Sequence, residues 1–404
     1  MIQAFEGIRG FAALLVALYH LDIGREYFSV LRHAYVFVDL FFVLSGYVIC
    51  AAYVRKLDAP SDLLPFLIRR VGRLFPLLVF STAAFIFAAN ALIVIKRLAI
   101  SHGFGASLGN PGSTDFLVPS GLELATTLTF THSLGIFDKL ILNTPTWSIS
   151  TEFYTYLLFA IVCLCFRGKG RLAVFAMLVA GAFVVTTWAS VSLYNCLEVG
   201  ACNTQTFDFG FARCVLSFFL GALTFHFRSS VRIDPKKLQL PAMGLLTLYF
   251  WQVDAIPALS LMPPYLFAIL ILSLSQDDGV LAFPFKLNLS QILGQRSYSI
   301  YLMHMPFALF FQWAGKRADG MVASGAVVIS YVITLYVVSG WTFKYVESPF
   351  RANFNWLSAN LDKTRGQESR GAEVVLAQGY HSNSMQAANL DKGHQSITEE
   401  VQAD

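Results

Sequence analysis

The chain has 404 residues, 56% of them apolar and only 13% charged, about half the charge density of an ordinary soluble domain. That composition excludes a water-exposed globular protein, and a formal net charge of +4 is too small for a nucleic-acid binder. Aromatics reach 15%, with 37 phenylalanines, as suits lipid-facing and interfacial surfaces.

Apolar windows long enough to cross a hydrocarbon core of about 30 Å recur along the chain. Ten are placed, at 7–24, 35–54, 74–95, 146–166, 171–191, 209–227, 239–254, 258–275, 296–313 and 322–344. No basic segment precedes the first, so it reads as a span and not as a cleaved leader. It carries two ionisable groups, Arg9 and His20. At about 100° per residue, their eleven-residue spacing puts both on one helical face, about 16 Å apart along the axis. Charge in hydrocarbon costs at least about 2.5–3.5 kcal/mol, so a pair on one stripe marks a bundle interior or a site. The bland alternative is a snorkelling arginine and a satisfied core histidine.

The second span contains Asp39, and Arg213 lies in the sixth. An ion pair between bundle helices would account for either. Before the third span, FLIRRVGRLFP carries Arg69, Arg70 and Arg73, with Arg73 on the same face as the other two. Such a guanidinium cluster is a good phosphate receptor, although anchoring to anionic lipid headgroups would use the same residues. The loop 97–145 is the largest outer segment and a plausible cover for an external opening. Within it Ser120–Leu134 is a doubtful eleventh span, better read as a re-entrant or surface helix.

The fourth span opens on Pro145-Thr-Trp-Ser-Ile-Ser-Thr-Glu152. Ser148 or Thr146 would cap this helix, Trp147 would anchor at the interface and Glu152 would be a first-turn acid. Read functionally, Glu152 orients a catalytic imidazole or binds a sugar on which Trp147 stacks. Cys196 and Cys202 share one polar loop and form a disulfide if that loop faces an oxidising compartment. The other four cysteines form no metal or redox pattern. In the ninth span, Tyr298, Tyr301 and His304 share a stripe, with Pro306 two residues beyond the histidine. His226 reads as structural, and Glu347 as the partner of a nearby arginine.

The Lys/Arg bias sets the orientation. Arg55, Lys56 and the Arg69–Arg73 cluster, then Arg167, Lys169 and Arg171, then Arg228, Arg232, Lys236 and Lys237, fall on one side if the N-terminus is cytoplasmic. Both termini are then cytoplasmic. Residues 1–351 form the membrane domain and 352–404 a polar, disordered cytoplasmic tail.

Six segments in series carry a family resemblance: GIRGFAALLVALYH, FVDLFFVLSGY, RRVGRLFP, TWSISTEFYTY, LGQRSYSIYLMH and VESPFR. Together they resemble the acyltransferase-3 family of multi-span membrane acyltransferases. The resemblance implies an all-α, ten-helix integral membrane protein of the bacterial inner membrane. It implies transfer of an acyl group, most often acetyl, from cytoplasmic acyl-CoA to a hydroxyl of a surface or exported polysaccharide, lipopolysaccharide, glycolipid or oligosaccharide. Acyl-CoA would be a co-substrate, with no tightly bound cofactor, no metal and no nucleic-acid partner. By the resemblance, His20, Arg9 and Glu152 are the candidate catalytic residues and Arg69, Arg70 and Arg73 the donor-binding ones. Trp147, Ser148, Tyr298 and His304 would support the site. Some family members carry a fused extracytoplasmic hydrolase-like domain, and no such domain is expected from the polar segment that follows the membrane domain here. The competing reading is a transporter or flippase of a lipid-linked sugar or small solute, with the intramembrane charges forming a relay.

Overall fold

A computed structural model describes residues 2–104, 115–230 and 233–362. Among them there is no strand, and the chain is a bundle of helices. In chain order the main ones are α1 (Gln3–Leu21), α2 (Phe37–Tyr53), α3 (Leu63–Ala99), α4 (Gly121–Leu128), α5 (Trp147–Cys165) and α6 (Gly168–Trp188). There follow α7 (Gly210–Phe227), α8 (Gln239–Gln252), α9 (Pro263–Leu274), α10 (Asn288–Gln295), α11 (Ser297–Gly315) and α12 (Gly320–Thr342). Each of the ten expected windows coincides with one of these helices, and seven helical stretches among the described residues are long and apolar enough to cross a membrane. The stretch Ser120–Leu134 yields only the eight-residue α4, closed by a reciprocal capping box between Ser120 and Glu123, far too short to span.

Small residues let the central helices touch backbone to backbone. A Cβ on Gly46 of α2 would lie 1.8 Å from the Phe218 carbonyl oxygen of α7, and one on Gly221 would lie 1.9 Å from the Val43 carbonyl oxygen. Each glycine admits the other helix, which is the small-residue solution to helix packing where no hydrophobic force separates protein from lipid. At the same crossing Asp39 and Arg213 pair at 2.7 Å, with 0% and 1% side-chain exposure. Ser217 and Asn203 also donate to the Asp39 carboxylate, so the two charges expected in separate spans satisfy one another.

Helix α1 begins without a cap of its own, because Ile2 has no side-chain acceptor. Asp277, from the turn after α9, accepts from the backbone N–H groups of Gln3 and Ala4 at 3.0 and 2.8 Å. Gly10 and Gly294 then bring α1 against α10, which fixes the face on which Glu6 and Arg9 project.

Helix α3 has 37 residues, roughly 55 Å of helix, so it continues well beyond a 30 Å core. Its first turns carry the arginine cluster, which is therefore helical and not loop. The final helical stretch runs on to Asp362, past the boundary expected at 351, and Phe354 and Ser358 pack on α3. The rest of the expected tail, from 363, lies outside the described residues, as do Arg232 and residues 105–114 of the loop 97–145. Cys196 and Cys202 are joined by a disulfide.

Candidate active site

A cavity of about 880 Å³ lies among α1, α2, α3, α5, α11 and the segment Phe343–Arg351. Four arginines line it: Arg9 from α1, Arg70 and Arg73 from α3, and Arg351 from the segment that follows α12. Arg9 approaches Glu6 at 3.7 Å, one turn back on the same helix. Arg70 donates to the Tyr53 hydroxyl at 3.3 Å, and its guanidinium lies 5.3 Å from the Tyr53 ring and 5.7 Å from those of Phe66 and Tyr156. Its Nε is buried without a hydrogen-bond partner. Arg73 makes no hydrogen bond or ion pair with any described residue. Arg69 is not on the cavity wall, because its guanidinium turns to Asp362 at 2.6 Å.

Carboxylates face the same space. Glu152 accepts a hydrogen bond from the Tyr156 hydroxyl one turn on, and Ser45 of α2 lies 2.7 Å from that hydroxyl. Since the tyrosine proton is committed to Glu152, Ser45 must donate. Glu152 thus contacts a tyrosine and not an imidazole. Glu347 accepts from Ser299 at 2.8 Å and lies 4.0 Å from Arg351.

Toward the end of the bundle where α5 begins, the wall changes from charged to aromatic and hydroxylic. Ser148 and Tyr301 share a hydrogen bond of 2.8 Å, and Tyr298 donates to the Leu74 carbonyl at 2.7 Å. Trp147 is buried away from the cavity, against Gly210, with the Arg213 guanidinium 5.4 Å from its ring. Its face is therefore taken, and it neither stacks into the cavity nor anchors at a surface.

Behind Tyr301 lies a pair of histidines. His304 is fully buried, and its Nδ1 sits 2.6 Å from the Tyr301 carbonyl oxygen. A carbonyl can only accept, so Nδ1 carries the proton and Nε2 a lone pair in the neutral ring. That Nε2 lies 3.2 Å from His20 Nδ1, which is also 3.0 Å from the Val16 carbonyl oxygen. Facing two acceptors, His20 Nδ1 must hold a proton. The lone pair of His20 is then on Nε2, which has no hydrogen-bond partner among the described residues. Gln312 donates to the His20 carbonyl and Tyr331 to those of Ala17 and His304, tying α1, α11 and α12 together around the pair.

Arg9 and His20 share a stripe of α1 but serve different places: Arg9 is on the cavity wall, and His20 is not. Tyr301 joins them, its side chain lining the cavity and its carbonyl holding His304. Spacing along the sequence brought out Arg9, His20, Arg70, Arg73 and His304. It missed Tyr156, Ser45 and Glu6 as site residues, and placed Tyr301 only on the same stripe as His304. Two of the three missed carried a local signal, Tyr156 four residues after Glu152 and Glu6 three before Arg9.

Residues 2–354 match the family described as an acyltransferase domain. The O-acetyltransferase OatA of Staphylococcus aureus (strain NCTC 8325 / PS 47) is 25% identical over 400 residues, covering 93% of this chain and 61% of that protein. The peptidoglycan O-acetyltransferase OatA of Listeria monocytogenes is 22% identical over 386 residues, covering 90% of this chain and 58% of that protein. The chain thus spans about three-fifths of the length of these relatives. No solved structure matches.

Proposed function

We propose that this chain, which belongs to the acyltransferase-3 family, is a membrane O-acetyltransferase that takes the acetyl group from cytoplasmic acetyl-CoA and delivers it to a hydroxyl of a surface or exported carbohydrate. It crosses the bacterial inner membrane ten times with both termini in the cytoplasm. The observation that carries this reading is the division of the site into two compartments. One is a cavity with unsatisfied guanidinium groups, at the end of the bundle where α1 starts. The other is a histidine pair at the opposite end of α1, with one ring nitrogen free.

Coenzyme A is a polyanion with a long flexible arm, and each half of it has a counterpart. Arg70 and Arg73 offer charge-assisted donors to its phosphates, and the unpartnered Nε of Arg70 supports this role. Arg9 seats the arm deeper along α1. The thioester then lies past Ser148 and Tyr301, where the wall turns aromatic. His20 Nε2 accepts the proton of the incoming hydroxyl as its oxygen attacks the thioester carbonyl carbon. The carbon–sulfur bond breaks, coenzyme A leaves as the thiolate, and the imidazolium returns the proton to it. His304 Nε2, accepting from His20 Nδ1–H, steadies the positive charge during this exchange, as an orienting partner does for a general base. The names of the two relatives support acetyl as the group and a cell-wall or surface carbohydrate as the acceptor class.

The test is transfer of radiolabel from acetyl-CoA to carbohydrate in membranes holding wild type or His20→Ala at matched protein levels. Label in wild type and its loss by at least about a hundredfold in the variant are expected, the scale of a general base. Equal labelling would remove His20 from the mechanism. Absence of label with binding of a lipid-linked sugar would favour transport instead.

A further inference from the structure

Helix α11 contains Pro306, two residues beyond His304. Proline has no N–H, so the carbonyl of Leu302, four residues earlier, loses its intrahelical donor. That carbonyl lies inside the bundle, where an unmade hydrogen bond is costly. The missing donor comes from elsewhere in the chain: Asn143 Nδ2 lies 3.0 Å from the Leu302 oxygen, across 159 residues of sequence. Asn143 is 0% exposed. Its amide orientation is settled by chemistry, because only the nitrogen can face a carbonyl. The oxygen, Oδ1, is left buried with no partner. A residue kept for general stability would satisfy both ends, so the donor end is what this position supplies.

Asn143 is itself held firmly. Its carbonyl accepts from the Thr146 backbone N–H at 3.0 Å and from the Thr146 hydroxyl at 2.7 Å, and His132 lies 3.1 Å from that hydroxyl. The proline-broken turn it grips is the turn bearing His304, whose Nδ1 bonds the adjacent Tyr301 carbonyl.

We propose that Asn143 is a positioning residue for the transfer step: it replaces the amide that Pro306 removes and so holds the His304 turn, keeping His304 Nε2 against His20. This rests on the reading of the His20–His304 pair as the transfer site. It predicts that Asn143 is needed only because residue 306 is proline. The substitution Pro306→Ala restores an N–H to the Leu302 carbonyl and makes Asn143 dispensable.

The experiment is a double-mutant cycle of Asn143→Leu and Pro306→Ala, reading kcat and KM for acetyl-CoA in membranes and the melting temperature of the purified proteins. N143L is expected to lower kcat about tenfold or more with KM for acetyl-CoA within about twofold, as misplacement of a reacting group does. It is also expected to lower the melting temperature. In the Pro306→Ala background, adding N143L should change kcat by less than about threefold and the melting temperature little. An equal loss of kcat in both backgrounds, or no loss in either, would overturn the proposal. Coupling in melting temperature without any effect on kcat would overturn it too, leaving Asn143 a structural residue. If wild type transfers no acetyl group, the reading of the site fails on its own, and melting-temperature coupling still tests the Asn143–Leu302 link. No coupling there would sink the link as well.

Discussion

The arginines of the 69–73 cluster differ most in what they already hold. Arg69 is paired with Asp362, whereas Arg73 makes no hydrogen bond or ion pair with any described residue, although carboxylates share its cavity, and Arg70 keeps a buried Nε unpaired. A hydrogen bond to a charged group contributes about 1.5–3 kcal/mol, or roughly ten- to a hundredfold in affinity. Arg73→Ala is therefore expected to raise the KM for acetyl-CoA at least about tenfold, while Arg69→Ala shifts it by less than about threefold. Saturation curves on matched membranes check this, and equal effects would show that the cluster acts only as a diffuse positive charge. Much at this scale was legible beforehand, because a charge inside an apolar window stands out. Arg9, His20 and His304 stood out that way. What spacing cannot give is the partner across the bundle. Asp39 and Arg213, 174 residues apart, show as two isolated charges until α2 and α7 cross, and Asn143 in a polar loop has no signal at all.

Among the elements, the crossing of α2 and α7 sets the frame, because it holds the Asp39–Arg213 pair and buries Trp147 beside it. Gly46→Leu would drive a side chain into the Phe218 carbonyl, which is backbone and cannot rotate away. Overpacking a tight core costs about 1–3 kcal/mol when side chains absorb it, and more where the backbone must move. Gly46→Leu is expected to lose most of the folded, detergent-stable protein. Gly181→Leu, where α6 has open space, should retain it. Size-exclusion profiles of the two read the outcome directly, and a monodisperse Gly46→Leu protein would contradict the packing argument. Hydropathy located the helices well but not their ends. The window 74–95 marks where α3 is apolar, yet the helix runs from Leu63 to Ala99, since a helix does not stop where the chain leaves hydrocarbon. Trp147 shows the complementary miss. Its place at the mouth of an apolar window suggested an interface, but the start of α7 at Gly210 closes over it.

For the whole molecule, the two compartments are arranged in series along α1. The arginine-lined cavity lies at its start, the histidine pair at its far end, and Tyr301 between them. In the proposed orientation this lets a donor that cannot cross the membrane serve an acceptor on the other side. Only the thioester end need reach the bundle interior. The loop bias in Lys and Arg suggested that orientation, and the order of the site along α1 gives it a mechanistic purpose. The most direct measurement is acetyl transfer in sealed vesicles of opposite sidedness, with acetyl-CoA supplied outside and carbohydrate acceptor present on both faces. Inside-out vesicles, which present the cytoplasmic face, should place label on the enclosed acceptor, whereas right-side-out vesicles should show none until permeabilised. Equal use of acetyl-CoA from either face would contradict the account.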